Sequence, residues 1–203
     1  MFNYNNADKK NKSFMYQNLQ KSKSYNTDFS NSNFDYVCLR GAHLKSCNFD
    51  GCTFRGAEFT GTNLKDSTFR NAIFENTVFE GAKLEGVDFR GAQFKNSFFV
   101  DTRIDHVKYL EPEQTGIRIF SEMPEIEMSE ILRSAIEKLM QNVFVKKSRV
   151  LDTKDKTMNT ISVMILIEKF GEEKLIKSLE QVEDHLDRDF YTLSYIIKII
   201  DKI

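Results

Sequence analysis

The sequence predicts an all-β solenoid over its first half, followed by a C-terminal α-helical domain. Three observations predict it. A large apolar residue recurs at every fifth position from Phe29 to Ile104. The kind of apolar residue repeats every twenty positions. Beyond Pro124 the apolar spacing changes to that of a helix.

A period of five is neither the two of a strand nor the 3.6 of a helix. In each pentad the residue two before the large one is small or β-branched, as with Ala42, Cys47, Cys52, Ala57 and Thr62. Two after it stands a turn-tolerant residue such as Gly41, Gly51, Gly56 or Asn71. The remaining two positions are mostly polar. Each pentad therefore reads small-in, out, large-in, out, turn, which is a strand fragment closed by a corner. Its backbone polar groups need partners, and the next coil must supply them. The register holds without a slip over residues 27–106.

Sorting the large residues by every fourth pentad gives the coil. One column is Phe29, Phe49, Phe69, Phe89; the next is Phe34, Phe54, Phe74, Phe94. The third is Leu39, Phe59, Phe79, Phe99, and the fourth is Leu44, Leu64, Leu84, Ile104. Aliphatic residues gather in the fourth, so twenty residues complete a circuit of four faces. About four coils are expected. Stacked phenylalanines gain roughly 0.5–1.5 kcal/mol per pair beyond burial. On one outer face Asp35, Arg55, Glu75 and Lys95 alternate in sign, which spares the stack like-charge neighbours.

Stretches such as "GAEF", "GTNL", "GAKL" and "GVDF" make residues 27–106 resemble the pentapeptide-repeat family. The resemblance implies a right-handed quadrilateral β-helix. The position before the large residue departs from the family's Asp or Asn at Cys38, His43, Ile73, Val78, Lys83, Phe98 and Arg103. These departures are candidate contact positions.

The segments are expected as an N-terminal tail or cap (1–26), the repeat β-helix (27–111), a linker (112–123) and an α-helical bundle (124–203). Phe14 and Leu19 keep the five-residue register, but Ser24 breaks it, and Lys12 and Gln17 stand where small residues belong. Val107 and Tyr109 begin a fifth coil that Pro112 ends. Downstream, "MSEILRSAIEKLMQNVF", "NTISVMILIEKFG", "EEKLIKSLEQVEDHL" and "DRDFYTLSYIIKIIDKI" read as about four helices. Pro124 is placed in or just before the first turn, Gly171 as a helix stop, and the acidic start of the last segment as its cap.

The 203 residues carry 29 Lys and Arg against 30 Asp and Glu, a net charge of −1. That balance disfavours polyanion binding. The lysine-rich first 26 residues offer at most weak, salt-sensitive nucleic-acid contact, so DNA binding is not expected. No apolar run is long enough to span a membrane and no signal peptide is evident. Three cysteines without zinc-type spacing suit a reducing cytoplasm. Cys47 and Cys52 read as buried small residues, and Cys38 as an outward thiol. His43, His106 and His185 do not converge in the pattern. No catalytic residue, cofactor or metal site is expected.

Ile73, Val78, Phe98 and Val100 point outward on neighbouring faces and form the candidate docking surface. Its occupant is part of this chain, a second copy, or a partner. The expected function is a non-catalytic protein–protein interaction or scaffold protein. A homodimer through the C-terminal helices is a further expectation. The resemblance supplies the alternative: a DNA mimic acting on DNA gyrase or topoisomerase IV. That role requires a strongly acidic rod, whereas Lys45, Lys65, Arg70 and Arg90 interrupt any acidic stripe.

Overall fold

The computed structural model describes residues 2–111 and 113–203; the expected stop at Pro112 lies outside them. The chain divides into two compact units, Met1–Glu122 and Met123–Ile203.

The first unit is a β-solenoid. Strands β1 (Asn3–Asn5), β2 (Lys23–Tyr25) and β3 (His43–Lys45) pair in parallel on one face. A second face carries β4 (Thr53–Arg55), β5 (Ile73–Glu75) and β7 (Gln93–Lys95). A third carries β6 (Val78–Glu80), β8 (Ser97–Val100) and β9 (Ile117–Phe120). Within each sheet the register partners differ by twenty, as in Phe54↔Phe74 and Phe99↔Ile119. Single bridges such as Asp28↔Asn48 and Asn63↔Lys83 keep the same offset elsewhere. Neighbouring residues bond in opposite directions: the Asn48 N–H donates to Thr27 of the preceding coil at 3.0 Å, and the Phe49 N–H to Thr68 of the next at 2.8 Å.

Every fifth residue from Asn6 to Asp101 has a positive φ. Glycine, asparagine and aspartate hold most of these corners, because the left-handed region costs other residues roughly 1–2 kcal/mol. Tyr16, Lys21 and Tyr36 occupy it as well. Between corners the large residues stack as the columns require. Phe29 and Phe49 lie 5.1 Å apart at 7°, Phe49 and Phe69 4.9 Å apart at 10°, and Phe79 and Phe99 4.6 Å apart at 6°. Rings of adjacent columns meet edge-on, as Phe34 does with Phe49 at 76°. The small positions have their own ladder. Thr62 Oγ1 donates to Leu39 O at 2.9 Å, Ser67 Oγ to Leu44 O at 2.7 Å, and Cys52 Sγ to Phe29 O at 3.1 Å. Thr, Ser and Cys are therefore used as small groups that each satisfy a carbonyl of the coil before.

The expectation of about four coils is corrected to about six. Residues 3–26 are coil, not tail or cap: Asp8 bridges Asp28, Ser13 bridges Asn33, and Asn18 bridges Cys38. Lys12 is exposed at its small position. Ser24 is the large-position residue of β2, buried between Tyr4 and Leu44. At the other end the expected linker holds β9, twenty residues beyond β8. Tyr109 turns a corner with φ 60° and leaves Leu110 to enter the core.

Where Ser24 replaces a leucine, a cavity of about 10 Å³ remains, lined by Tyr4, Ser22, Ser24, Phe29 and Leu44 among others. Ser24→Leu continues the aliphatic column and extends toward half-buried Tyr4. It is expected to stabilise the coil by about 1 kcal/mol, read as a higher urea midpoint. An unchanged or lower midpoint removes this account of Ser24.

The second unit is helical: α1 (Glu130–Leu139), α2 (Val143–Ser148), α3 (Thr160–Phe170), α4 (Glu172–Val182) and α5 (Ser194–Ile200), with a short 3-10 turn at Glu183–His185. Three expectations are corrected. The first helix starts at Ser129, whose side chain accepts from the Leu132 N–H, and not at Pro124. It breaks at Met140–Asn142, because the Asn142 side chain accepts from the Phe144 N–H and starts α2. The acidic run before the last helix does not cap it: Asp187 accepts from the Tyr195 hydroxyl, and Asp189 pairs with Lys147. Gly171 ends α3 with φ 74°, as expected. The core of this unit includes Leu132, Ile136, Val163, Leu166, Leu175 and Ile196.

Candidate functional site

The candidate docking residues lie on two neighbouring sheets of the solenoid. Ile73 is on β5, opposite Thr53 and Gln93. Val78, Phe98 and Arg118 form one outward row across β6, β8 and β9; Glu80, Val100 and Phe120 form the next. Ile73 and Val78 are half-exposed, whereas Phe98 and Val100 are buried. Phe98 is 0% exposed although it lies outside the solenoid's core cluster. The Arg118 guanidinium sits 4.2 Å from its ring centre and also bonds the Asn96 side chain. Sequence reading missed Arg118 and Phe120. The available signal was the alternation in "IRIF", twenty residues after "SFFV".

The outer charges of the coil are paired across turns. Arg55 reaches Asp35 at 3.1 Å and Glu75 at 3.6 Å, and Lys95 reaches Glu75 at 2.6 Å. Arg40 pairs with Glu58 at 3.3 Å, and Lys65 with Glu85. Burial works against the charge of Asp88. The Arg90 N–H and the Arg70 guanidinium at 2.9 Å outweigh it and hold this carboxyl below its ordinary range. The N-terminal lysines are also engaged: Lys10 lies 3.4 Å from both Asp8 and Asp28, and Lys9 stands over the Tyr4 ring.

The expected outward thiol of Cys38 is corrected. Cys38 is fully buried and its sulfur accepts from Gln20 Nε2 at 3.3 Å. Outward on the coil, it is covered by its neighbours on the adjoining turns, Gln20 among them, which the pentad pattern does not show. Burial pushes Cys38 and Cys47 up to about 11 and Cys52 up to about 12. These thiols should therefore resist a thiol-exchange reagent at pH 8 while folded and react fully in urea. The sign of the pH effect follows. Folding favours the protonated thiols, so their contribution is intact below the unfolded pKa and is lost as pH rises through about 9 to 12. A midpoint in urea that stays flat across that window contradicts this.

His43 and His106 are exposed on the coil, and His185 Nδ1 lies 2.9 Å from Gln181 O in the helical unit. Among the described residues no group of three or more His, Cys, Asp or Glu is placed to hold a metal ion. No helix among them is long and apolar enough to cross a membrane.

The helical unit carries a second candidate surface, a groove of about 470 Å³ between α1 and α4. Its apolar lining comes from Ile131, Ala135 and Leu139 on α1 and Ile176 and Leu179 on α4. Ile131 is 67% exposed. The sequence places Ile131 on the same stripe as Leu132 and Ile136; the fold buries those two and leaves Ile131 in the groove.

A parallel coil with a corner every fifth residue defines a pentad-built repeat protein. The family model of pentapeptide repeats matches residues 16–45, 38–76, 62–99 and 72–108, with 8 copies. Residues 16–108 are thus built of pentapeptide repeats. Solved structures similar to it include the following three. One is the pentapeptide repeat protein Rfr23 from the cyanobacterium Cyanothece 51142, at 14% identity over 58% of this chain and 84% of that one, TM-score 0.35. A trypsin-treated form of QnrB1, a plasmid-mediated fluoroquinolone resistance protein, aligns at 23% identity over 52% of this chain and 55% of that one, TM-score 0.32. HetL, involved in heterocyst differentiation regulation in Nostoc sp. strain PCC 7120, aligns at 17% identity over 44% of this chain and 60% of that one, TM-score 0.20. No curated protein matches the sequence.

Proposed function

We propose that this protein is a non-catalytic interaction protein, a pentapeptide-repeat rod joined to a helical unit that recognises a partner protein or a second copy. The observation that carries the reading is the set of outward apolar residues on β5, β6 and β8. In it Phe98 and Val100 are buried, and half-exposed Val78 and Ile73 are left for a partner. A solenoid suits this use because each outward side chain is fixed by the coils above and below it. Three free thiols support a cytoplasmic setting.

The test is capture with the full tagged chain from the producing cell, together with its mass by light scattering. A partner or dimer retained by the wild type and lost on Val78→Lys is the expected result. A monomer that retains nothing, or a complex that Val78→Lys and Ile73→Lys leave intact, overturns the role of this face. The DNA-mimic alternative needs unpaired acidic rows. Here Glu75, Glu85 and Asp88 each have a cationic partner on a neighbouring coil, which argues against it. Inhibition or protection of DNA gyrase at micromolar protein would restore that alternative.

A further inference from the structure

We infer that the groove between α1 and α4 receives a short amphipathic helix of a partner protein, with an apolar stripe flanked by Lys or Arg. This rests on the interaction reading above for its purpose, but it concerns a different surface and is tested separately.

Three observations carry it. First, α1 and α4 start side by side, because the Ser129 N–H donates to Glu172 Oε1 at 2.9 Å. The two helices therefore run side by side in the same direction, and the groove opens between α1 from Glu130 and α4 from Ile176. Second, the apolar residues of α1 recur at four-residue steps from Ile131 to Leu139. At 1.5 Å per residue they run for about 12 Å, the length of two turns of a docked helix. Third, the charged residues of the lining are unbalanced. Glu130, Glu180 and Glu183 stand against Lys138 alone. Arg133 lies 3.8 Å from Glu130 and relieves that carboxylate in part. Glu180 and Glu183 both sit at the surface beside the apolar floor. A neutral or acidic helix entering there would meet these carboxylates without a counter-charge, and a basic flank supplies one. The apolar floor selects an amphipathic helix over a merely basic segment.

The experiment uses the full chain and a fluorescent 15-residue peptide with leucines at helical spacing and lysines on both flanks. Its charge mirror carries glutamate in place of each lysine. The lysine peptide is expected to bind at least tenfold tighter than the glutamate peptide. Ile131→Asp, at an exposed position, should weaken it at least tenfold without changing the circular dichroism spectrum. Glu180→Lys with Glu183→Lys should reverse the preference between the two peptides. The inference is overturned if neither peptide binds at millimolar concentration. It is equally overturned if binding survives Ile131→Asp, or if both peptides bind alike. A dimer mass that Ile131→Asp halves also overturns it, because a second copy then fills the groove. None of these outcomes touches the solenoid face, whose test is the Val78→Lys variant, so the two readings fail independently.

Discussion

Phe69→Ala is expected to lower stability by about 3–5 kcal/mol. Phe69 is fully buried in the middle of the solenoid. It stacks on Phe49 at 4.9 Å and on Phe89 at 5.4 Å, and meets Phe54 and Phe74 from the neighbouring column at 5.6 and 5.7 Å. Alanine removes these ring contacts, together with an edge contact to Phe59 at 6.4 Å, and leaves a cavity that cannot collapse, because coil spacing is fixed by the backbone ladder on every face. Phe69→Leu separates burial from stacking. Leucine already fills this role in the Leu44, Leu64, Leu84 column, so it should cost only about 1–3 kcal/mol, from two lost stacks. Urea denaturation of both variants checks this, with the slope of the transition expected to match that of the wild type. Equal losses for alanine and leucine would mean that the rings contribute by shape alone. A loss under about 1 kcal/mol for alanine would mean that the stack relaxes around holes.

The same stacking explains why so much of the solenoid was legible. A central phenylalanine has one environment, and only a large apolar side chain fits it, so the column pattern is visible in the letters. The end coils relax that demand. Lys12 sits at a small position and simply stays exposed, since the first coil has a described neighbour on one side only. Ser24 is buried at a large position and leaves a small void. Both broke the motif without breaking the backbone, whose corners at Asn6, Asn11 and Asn26 carry the regularity instead. Corner residues were thus a better guide to the extent of the coil than core residues. In the helical unit, periodicity found the apolar segments, but boundaries followed caps. Ser129 and Asn142 decide where α1 and α2 start by bonds to Leu132 and Phe144. The docking surface was half legible. Outward apolar letters could be read from register, but the cover over Phe98 came from Arg118, beyond the point where the pentads fade.

Gly116→Ala should detach the last strand while sparing the rest of the coil. Gly116 has φ 89°, and a Cβ there would lie 2.0 Å from Phe94 O, 2.7 Å from Phe94 C and 3.2 Å from Lys95 Cα. These are backbone atoms of the coil below, so no side chain can swing away. The Gly116 carbonyl also accepts from the Ser97 N–H at 2.9 Å, which makes this corner the hinge on which β9 pairs with β8. The strain of the left-handed region alone is worth roughly 1–2 kcal/mol, and the clash adds to it. Hydrogen exchange should rise across Ile117–Phe120 and at Ser97, whose N–H donates to the Gly116 carbonyl, while the amides of Phe49 and Phe69 stay protected. Gly61→Ala is the control. Its φ is 62°, but nothing lies within 4 Å of the added carbon, so it should show the strain without the detachment. If Gly116→Ala leaves β9 protected, the corner is not what seats the strand. If both substitutions unravel the coil from end to end, the turns do not open one at a time, and the sixth turn is part of a single cooperative unit with the first.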